Sequence, residues 1–100
     1  MSVCTRRVRG RASIFSYSGA NYYIRTRDHN PAHVHVKTAD GEIRIYLGRE
    51  EDGGVDNYGR EFGEYEFVWG KLKSSKVRTL VDHLESNLSD AWATWHQIYG

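Results

Sequence analysis

Apolar and polar positions alternate along much of the first seventy residues, and the period then changes. SIFSY (Ser13 to Tyr17) and NYYIRTR (Asn21 to Arg27) read as strands parted by Ser18-Gly19-Ala20, a turn-like break. HVHVKT (His33 to Thr38) and IRIYL (Ile43 to Leu47) alternate on either side of Ala39-Asp40-Gly41-Glu42, which predicts a hairpin with Asp-Gly in a type I′ turn at its tip. Counting back from that tip places Val34 opposite Leu47, Val36 opposite Ile45 and Thr38 opposite Ile43 on an apolar side. His35 then faces Tyr46 and Lys37 faces Arg44 on a side expected to meet water, with His33 just beyond. A neighbouring strand with Tyr22, Ile24 and Thr26 inward sets Tyr23, Arg25 and Arg27 beside those histidines. EYEFVW (Glu64 to Trp69) alternates again and predicts a further strand with Tyr65, Phe67 and Trp69 on one face.

After Gly70 the spacing becomes helical. Val77, Leu80, Val81 and Leu84 define one apolar stripe, with Ser74 or Ser75 as the expected cap; Leu88, Trp92, Trp95 and Ile98 or Tyr99 define a second that begins near Ser89. The tryptophans are expected to pack on the sheet. Together these elements predict an α+β fold: an antiparallel sheet of four to five strands with one or two C-terminal helices packed on one face. A chain of 100 residues suits one core, so residues 13–100 are expected to form a single domain behind a basic, flexible arm over residues 1–12.

Charge sharpens this division. The net charge is only +1, but residues 1–27 carry six arginines and no acid, whereas residues 28–70 carry ten acids against Lys37, Arg44, Arg49 and Arg60. Seven of those acids, from Glu50 to Glu66, lie in or beside the Gly-rich stretch GREEDGGVDNYGREFG, an expected long exposed loop. The single cysteine, Cys4, has no partner for a disulfide, and no apolar run reaches the roughly 20 residues of a membrane span. With no signal-like start, a cytoplasmic protein is expected.

The unusual chemistry lies in DHNPAHVHV (Asp28 to Val36), which holds three of the five histidines and the only proline. His33 and His35 leave the same strand face, His29 approaches from the turn that Pro31 stiffens, and Asp28 can orient an imidazole through its second N–H. Such rings suit a transition metal, with His29, His33 and His35 as ligands. Arg25, Arg27, Lys37 and Arg44 would crowd a cation, however, and no metal or other cofactor is expected on that ground. The same cations suit an anionic phosphodiester, with one ring taking a proton and another giving one, and with Tyr46 and Lys37 steadying charge. The arm TRRVRGR and Tyr17, Tyr22, Tyr23 and Tyr46 offer contacts to nucleic acid, but without a recognised motif.

On the motif D-H-N-P-x-H-V-H-V at Asp28 to Val36, the preceding aromatic and arginine segment, the Gly-Glu hairpin and the tryptophan-bearing helical tail, the chain resembles the small bacterial family called domain of unknown function 4160. Ala32 stands where that family commonly has a second proline, and the acidic loop replaces a shorter connection. The resemblance implies an α+β fold, a bacterial or phage source and an accessory role of toxin-antitoxin type, with Asp28, His29, Pro31, His33 and His35 marking a family site and no established reaction. The functional expectation is therefore a non-enzymatic module binding a macromolecular partner, protein or nucleoprotein rather than free nucleic acid. Its contacts would be the face of Arg25, Arg27, Lys37, Arg44 and Tyr46 around Asp28 and the histidines, and the acidic loop at Glu50, Glu51 and Asp52. The alternative is a phosphodiesterase or nuclease built on His33, His35 and His29, with metal assistance as one variant.

Overall fold

In the computed structural model, which describes residues 7–8, 10–28, 31–50 and 59–99, six strands form one antiparallel sheet in chain order. They are β1 (Arg7–Val8), β2 (Arg11–Tyr17), β3 (Ala20–Arg25), β4 (His33–Lys37), β5 (Gly41–Tyr46) and β6 (Tyr65–Gly70). Two helices follow, α1 (Ser74–Ser86) and α2 (Leu88–Tyr99). The expected α+β architecture is the one observed. The described part of the basic arm contributes strand β1 and the start of β2.

The connection from β2 to β3 is a two-residue turn at Ser18 and Gly19, with φ of 52° and 78°. Two successive positive φ values match the right-handed twist of the paired strands, which is why a small residue and a glycine occupy them. Register then carries Ala12, Tyr22 and Ile24 to one face.

The next hairpin departs from expectation. Its strands pair Lys37 with Glu42, His35 with Arg44, His33 with Tyr46, Val34 with Ile45 and Val36 with Ile43, a register two residues from the one counted on an Asp-Gly tip. The tip is Ala39-Asp40, and neither Asp40 nor Gly41 has a positive φ. Thr38 explains the difference. Its Oγ1 accepts the N–H groups of Asp40 and Gly41, both at 3.1 Å, and donates to the Gly41 carbonyl at 2.9 Å, so a side chain organises the turn. The observed register also sets Lys37 opposite an acid and not opposite Arg44, removing a like-charge pair. Gly41 serves close approach instead: a Cβ there would lie 2.9 Å from the Trp69 carbonyl oxygen, across the β5–β6 pair.

A register shift between Glu42 and Ile43 places a bulge at Val68 in β6. Tyr65 pairs with Ile45 and Phe67 with Ile43, but Trp69 pairs with Glu42. Trp69 therefore leaves the face of Tyr65 and Phe67, against the single face expected from alternation.

Both helices cover one side of the sheet. Tyr22, Ile24, Val34, Val36, Ile43 and Ile45 pack against Val77, Leu80, Leu84, Ala91, Trp92 and Trp95 in one apolar cluster. The Tyr22 hydroxyl donates to the Leu80 carbonyl at 2.7 Å, tying α1 to β3. Helix α1 starts earlier than the serine signals suggested: Lys73 is the extended cap residue and Ser74 is already helical. No described helix is long and apolar enough to cross a membrane.

Candidate metal centre

The opposite face of β4 is not the water-facing surface that alternation predicts. His33 is 5% exposed and His35 2%, so Val34 and Val36 are buried on one side and both imidazoles on the other. Strict polar and apolar alternation reports two faces of different chemistry, and here the polar face is covered as well. Tyr23 lies beside His35 with ring centroids 5.3 Å apart; Tyr46 and Trp95 flank His33 at 5.7 and 6.1 Å.

Asp28 completes the site from the segment before β4. Its Oδ2 lies 3.3 Å from His33 Nε2 and 3.2 Å from His35 Nε2, and these three atoms fall within 4.8 Å of one another. The carboxylate is held in place from two directions. Arg25 donates its backbone N–H to Oδ2 at 3.2 Å, and the Asp28 N–H donates to the Tyr99 hydroxyl at 2.7 Å, which in turn donates to the Arg25 carbonyl. The end of α2 thereby clasps the turn that carries Asp28.

Each ring is also fixed from behind. His33 Nδ1 lies 2.8 Å from the Pro31 carbonyl, which can only accept, so Nδ1 carries a proton and the neutral ring directs its lone pair from Nε2. His35 bridges two carboxylates, with Nδ1 3.1 Å from Glu42 Oε2 and Nε2 3.2 Å from Asp28 Oδ2. Glu42 is buried, and the same oxygen accepts from the Tyr23 hydroxyl at 2.7 Å and from Arg25 Nη2 at 3.2 Å. Burial would raise the Glu42 carboxyl, but the Tyr23 bond and the adjacent His35 and Arg25 outweigh it and hold it below its ordinary range. Burial opposes ionisation of Asp28 too, and His33 and His35 beside it outweigh that, keeping it well below the usual carboxylate range.

The cluster nevertheless leaves one buried nitrogen without a partner. Both Nε2 atoms converge on one Asp28 oxygen; His35 Nε2 is hydrogen-bonded to it at 3.2 Å, whereas His33 Nε2 is a buried polar atom without a hydrogen-bond partner, its 3.3 Å approach to Asp28 lacking bonding geometry. A cation resolves this. Ligands about 2.0–2.1 Å from a tetrahedral zinc lie roughly 3.3 Å from each other, the separation observed on both Asp28–His edges. Two imidazoles and a carboxylate, with both rings oriented by acceptors on their far nitrogens, are a donor set with the outer support that metal-ligating histidines ordinarily have.

The other expected site residues are dispersed. Arg44, expected to crowd a cation, is drawn away by Glu66, with Nη2 at 2.7 Å and Nε at 2.9 Å. Tyr46 donates to the same carboxylate at 3.1 Å, and its ring lies under the Arg60 guanidinium. Lys37 and Arg27 are exposed. Arg25 alone of the four cations reaches the site, through Glu42. Glu50 ion-pairs with His96 Nε2 at 3.0 Å, remote from this cluster in sequence and on α2. His29, Glu51 and Asp52 lie outside the described residues. Glu42 is the residue that sequence reasoning placed in a turn and so missed. Its signal was parity: Glu42, Arg44 and Tyr46 alternate with Ile43 and Ile45, which puts Glu42 on the histidine face.

Compared with protein-family models, with curated proteins and with solved structures, the chain matches none of them.

Proposed function

We propose that this protein is a metal-assisted hydrolase of phosphodiester bonds, with a divalent transition metal held by Asp28, His33 and His35. The carrying observation is the convergence of two buried Nε2 atoms on Asp28, with both Nδ1 atoms engaged elsewhere and His33 Nε2 left without a hydrogen-bond partner. Three protein ligands leave a position for water or substrate, the pattern of catalytic zinc sites. Bound there, the cation would supply Lewis acidity toward a phosphoryl oxygen and activation of water.

The surroundings support an anionic substrate. Arg11 and Arg25 stand directly opposite each other on β2 and β3, a like-charge cross-strand pair, and Arg11 also lies over the Tyr23 ring at 5.0 Å. Glu42 offsets only one of these charges. A phosphodiester seated at this rim neutralises the other, while the Arg25 guanidinium, 47% exposed, remains free to donate from its outer edge. Asp28, 14% exposed, is the most open of the three ligands and marks the side from which substrate approaches.

The resemblance at Asp28 to Val36 is carried in this reading as a family proposal resting on the motif, with an accessory role in a bacterial or phage system. It assigns no reaction. The test combines metal content with turnover. Purified untagged protein is assayed by plasma emission for zinc, iron and manganese, and for cleavage of bis(p-nitrophenyl) phosphate and labelled RNA and DNA, with and without chelator. One equivalent of metal, and cleavage lost on chelation and in His33→Ala and His35→Ala, are expected. Substoichiometric metal in the presence of excess Zn²⁺, or cleavage indifferent to both substitutions, overturns the proposal.

A further inference from the structure

The sheet is open, and β6 is one of its edges: among the described residues β5 pairs with one side of it and no strand pairs with the other. An edge strand of this length usually carries a charge, a proline or a cover that discourages further pairing. β6 has no proline, no described cover and no free charge along its length; the bulge at Val68 is the one such feature it carries. Its one charged side chain, Glu66, is consumed by Arg44 at 2.7 Å, Arg60 at 3.1 Å and the Tyr46 hydroxyl. Six large apolar side chains are exposed among the described residues, and four of them, Tyr65, Phe67, Val68 and Trp69, crowd into five consecutive positions here. Their exposures of 41–45% are too concentrated for scattered surface residues.

We propose that β6 is the seam of a symmetric homodimer, in which two copies pair this strand antiparallel about its middle and join their sheets. Two observations select a second copy over another occupant. First, Tyr65 and Phe67 lie on the helix-covered side and Trp69 on the opposite side, so the apolar groups flank the strand on both faces. An added strand buries both flanks at once, whereas a ligand lying on one face covers half of them.

Second, the strand is polar end to end in charge. Exposed Glu61 and Glu64 precede it, Glu64 sharing an ion pair with Arg60 at 3.3 Å that leaves the net charge of that end negative, and exposed Lys71 and Lys73 follow it. A two-fold axis through the middle of β6 lays the acidic end of each copy along the basic end of the other, twice over. A parallel copy would oppose like charges at both ends.

The area is consistent with a weak dimer. Aromatic side chains present about 150–250 Å² each, so exposures near 45% give roughly 70–110 Å² apiece and, with Val68, roughly 300–400 Å² per copy. Doubled, and with the strand edges and flanking residues added, this reaches about 1,000 Å², the lower bound for a specific interface. The seam lies beyond β5 from the histidines and stands independently of the metal reading.

Sedimentation equilibrium and light scattering from about 1 to 200 μM test it. The wild-type mass should rise from 11.6 kDa toward twice that value across this range. Two double variants isolate the geometry: Lys71→Glu with Lys73→Glu makes both ends acidic, and Glu61→Lys with Glu64→Lys makes both basic. Each alone should weaken self-association at least tenfold, and an equimolar mixture should dimerise. Phe67→Arg, with a folded circular dichroism spectrum, should be monomeric throughout. A wild type that remains monomeric at 200 μM, double variants that associate like wild type, or a mixture that stays monomeric overturns the proposal.

Discussion

Asp28→Asn separates the two ways in which the buried cluster can be held together. If both imidazoles are neutral with protons on Nδ1, the native carboxylate faces two lone pairs at 3.2 and 3.3 Å, which is repulsive without a cation. An asparagine that turns its NH₂ toward Nε2 of His33 and His35 supplies two donors but withdraws the acceptor of the Arg25 N–H, since all three contacts are made to Oδ2. Two buried hydrogen bonds gained at about 0.5–1.5 kcal/mol each, against the one from Arg25 lost, leave the metal-free variant within about 1 kcal/mol of wild type. If instead the rings are imidazolium and paired with Asp28, the substitution leaves buried charge without its partner and costs about 3–5 kcal/mol. Urea unfolding at pH 8 with chelator, followed by the fluorescence of buried Trp92 and Trp95, resolves a gap of that size. The same variant should bind Zn²⁺ at least 100-fold more weakly by calorimetry. A metal-free loss of about 3 kcal/mol or more would refute the neutral-tautomer assignment on which the metal centre rests.

Glu42→Ala strands the buried Tyr23 hydroxyl and His35 Nδ1, at about 1–3 kcal/mol each, while half-exposed Arg25 rehydrates, so a loss of about 2–6 kcal/mol is expected in urea melts. Glu42→Gln retains an acceptor oxygen but not its charge, and should lower zinc affinity about 10–100-fold with little loss of stability, as measured by calorimetry. Burial, with Tyr17 nearby, raises the Tyr22 phenol; a raised folded pKa gives stability that is complete below the unfolded value near 10 and lost as pH climbs toward the folded one. Tyr22→Phe should therefore cost about 1 kcal/mol at pH 7 and flatten the fall in stability above pH ~10, followed by denaturant melts across that range. Gly48 has φ of 71°, and a Cβ there would lie 2.5 Å from the Phe62 backbone nitrogen, so Gly48→Ala should destabilise by more than about 1 kcal/mol, read as a fall in Tm of several degrees.

The strands and helices were legible because their character shows directly in the residues: SIFSY and NYY are rich in aromatic and β-branched groups, HVHV and IRIY alternate, and Val77, Leu80 and Leu84 fall at helical spacing. Which side chains share a face was legible for the same reason, and it put Tyr23 beside His35 in advance of any coordinates. Register was not. The Asp-Gly dipeptide outweighed Thr38 in the reading, although a threonine that takes two turn N–H groups fixes the tip with ordinary backbone angles. That slip of two residues moved Glu42 from the strand into a turn and hid the carboxylate that orients His35. Burial of the polar face was also illegible, since alternation distinguishes two faces without saying that one meets water. Part of what covers the site comes from distant chain, Trp95 beside His33 and Tyr99 against the Asp28 backbone, and no local pattern announces it.

That distant cover bears on how the site works. Asp28 sits in the segment joining β3 to β4, which by itself would be a free turn, yet its backbone is clasped by a hydroxyl 71 positions away. The three ligand atoms thus depend on strand β4, on the turn before it and on the docking of α2. A cation bound to all three ties these parts together, and its binding free energy adds to the stability of the docked helix according to RT ln(1 + [M]/Kd). With neutral imidazoles the cluster also holds two carboxylates against one half-exposed guanidinium, an excess of negative charge that nothing among the described side chains at the site removes. Burying such a group costs several kcal/mol, and an apolar pair in place of His33 and His35 would fold at less cost. Its presence is intelligible if the carboxylates and the unpartnered His33 Nε2 are the means of capturing a cation, with the helix end holding Asp28 in readiness.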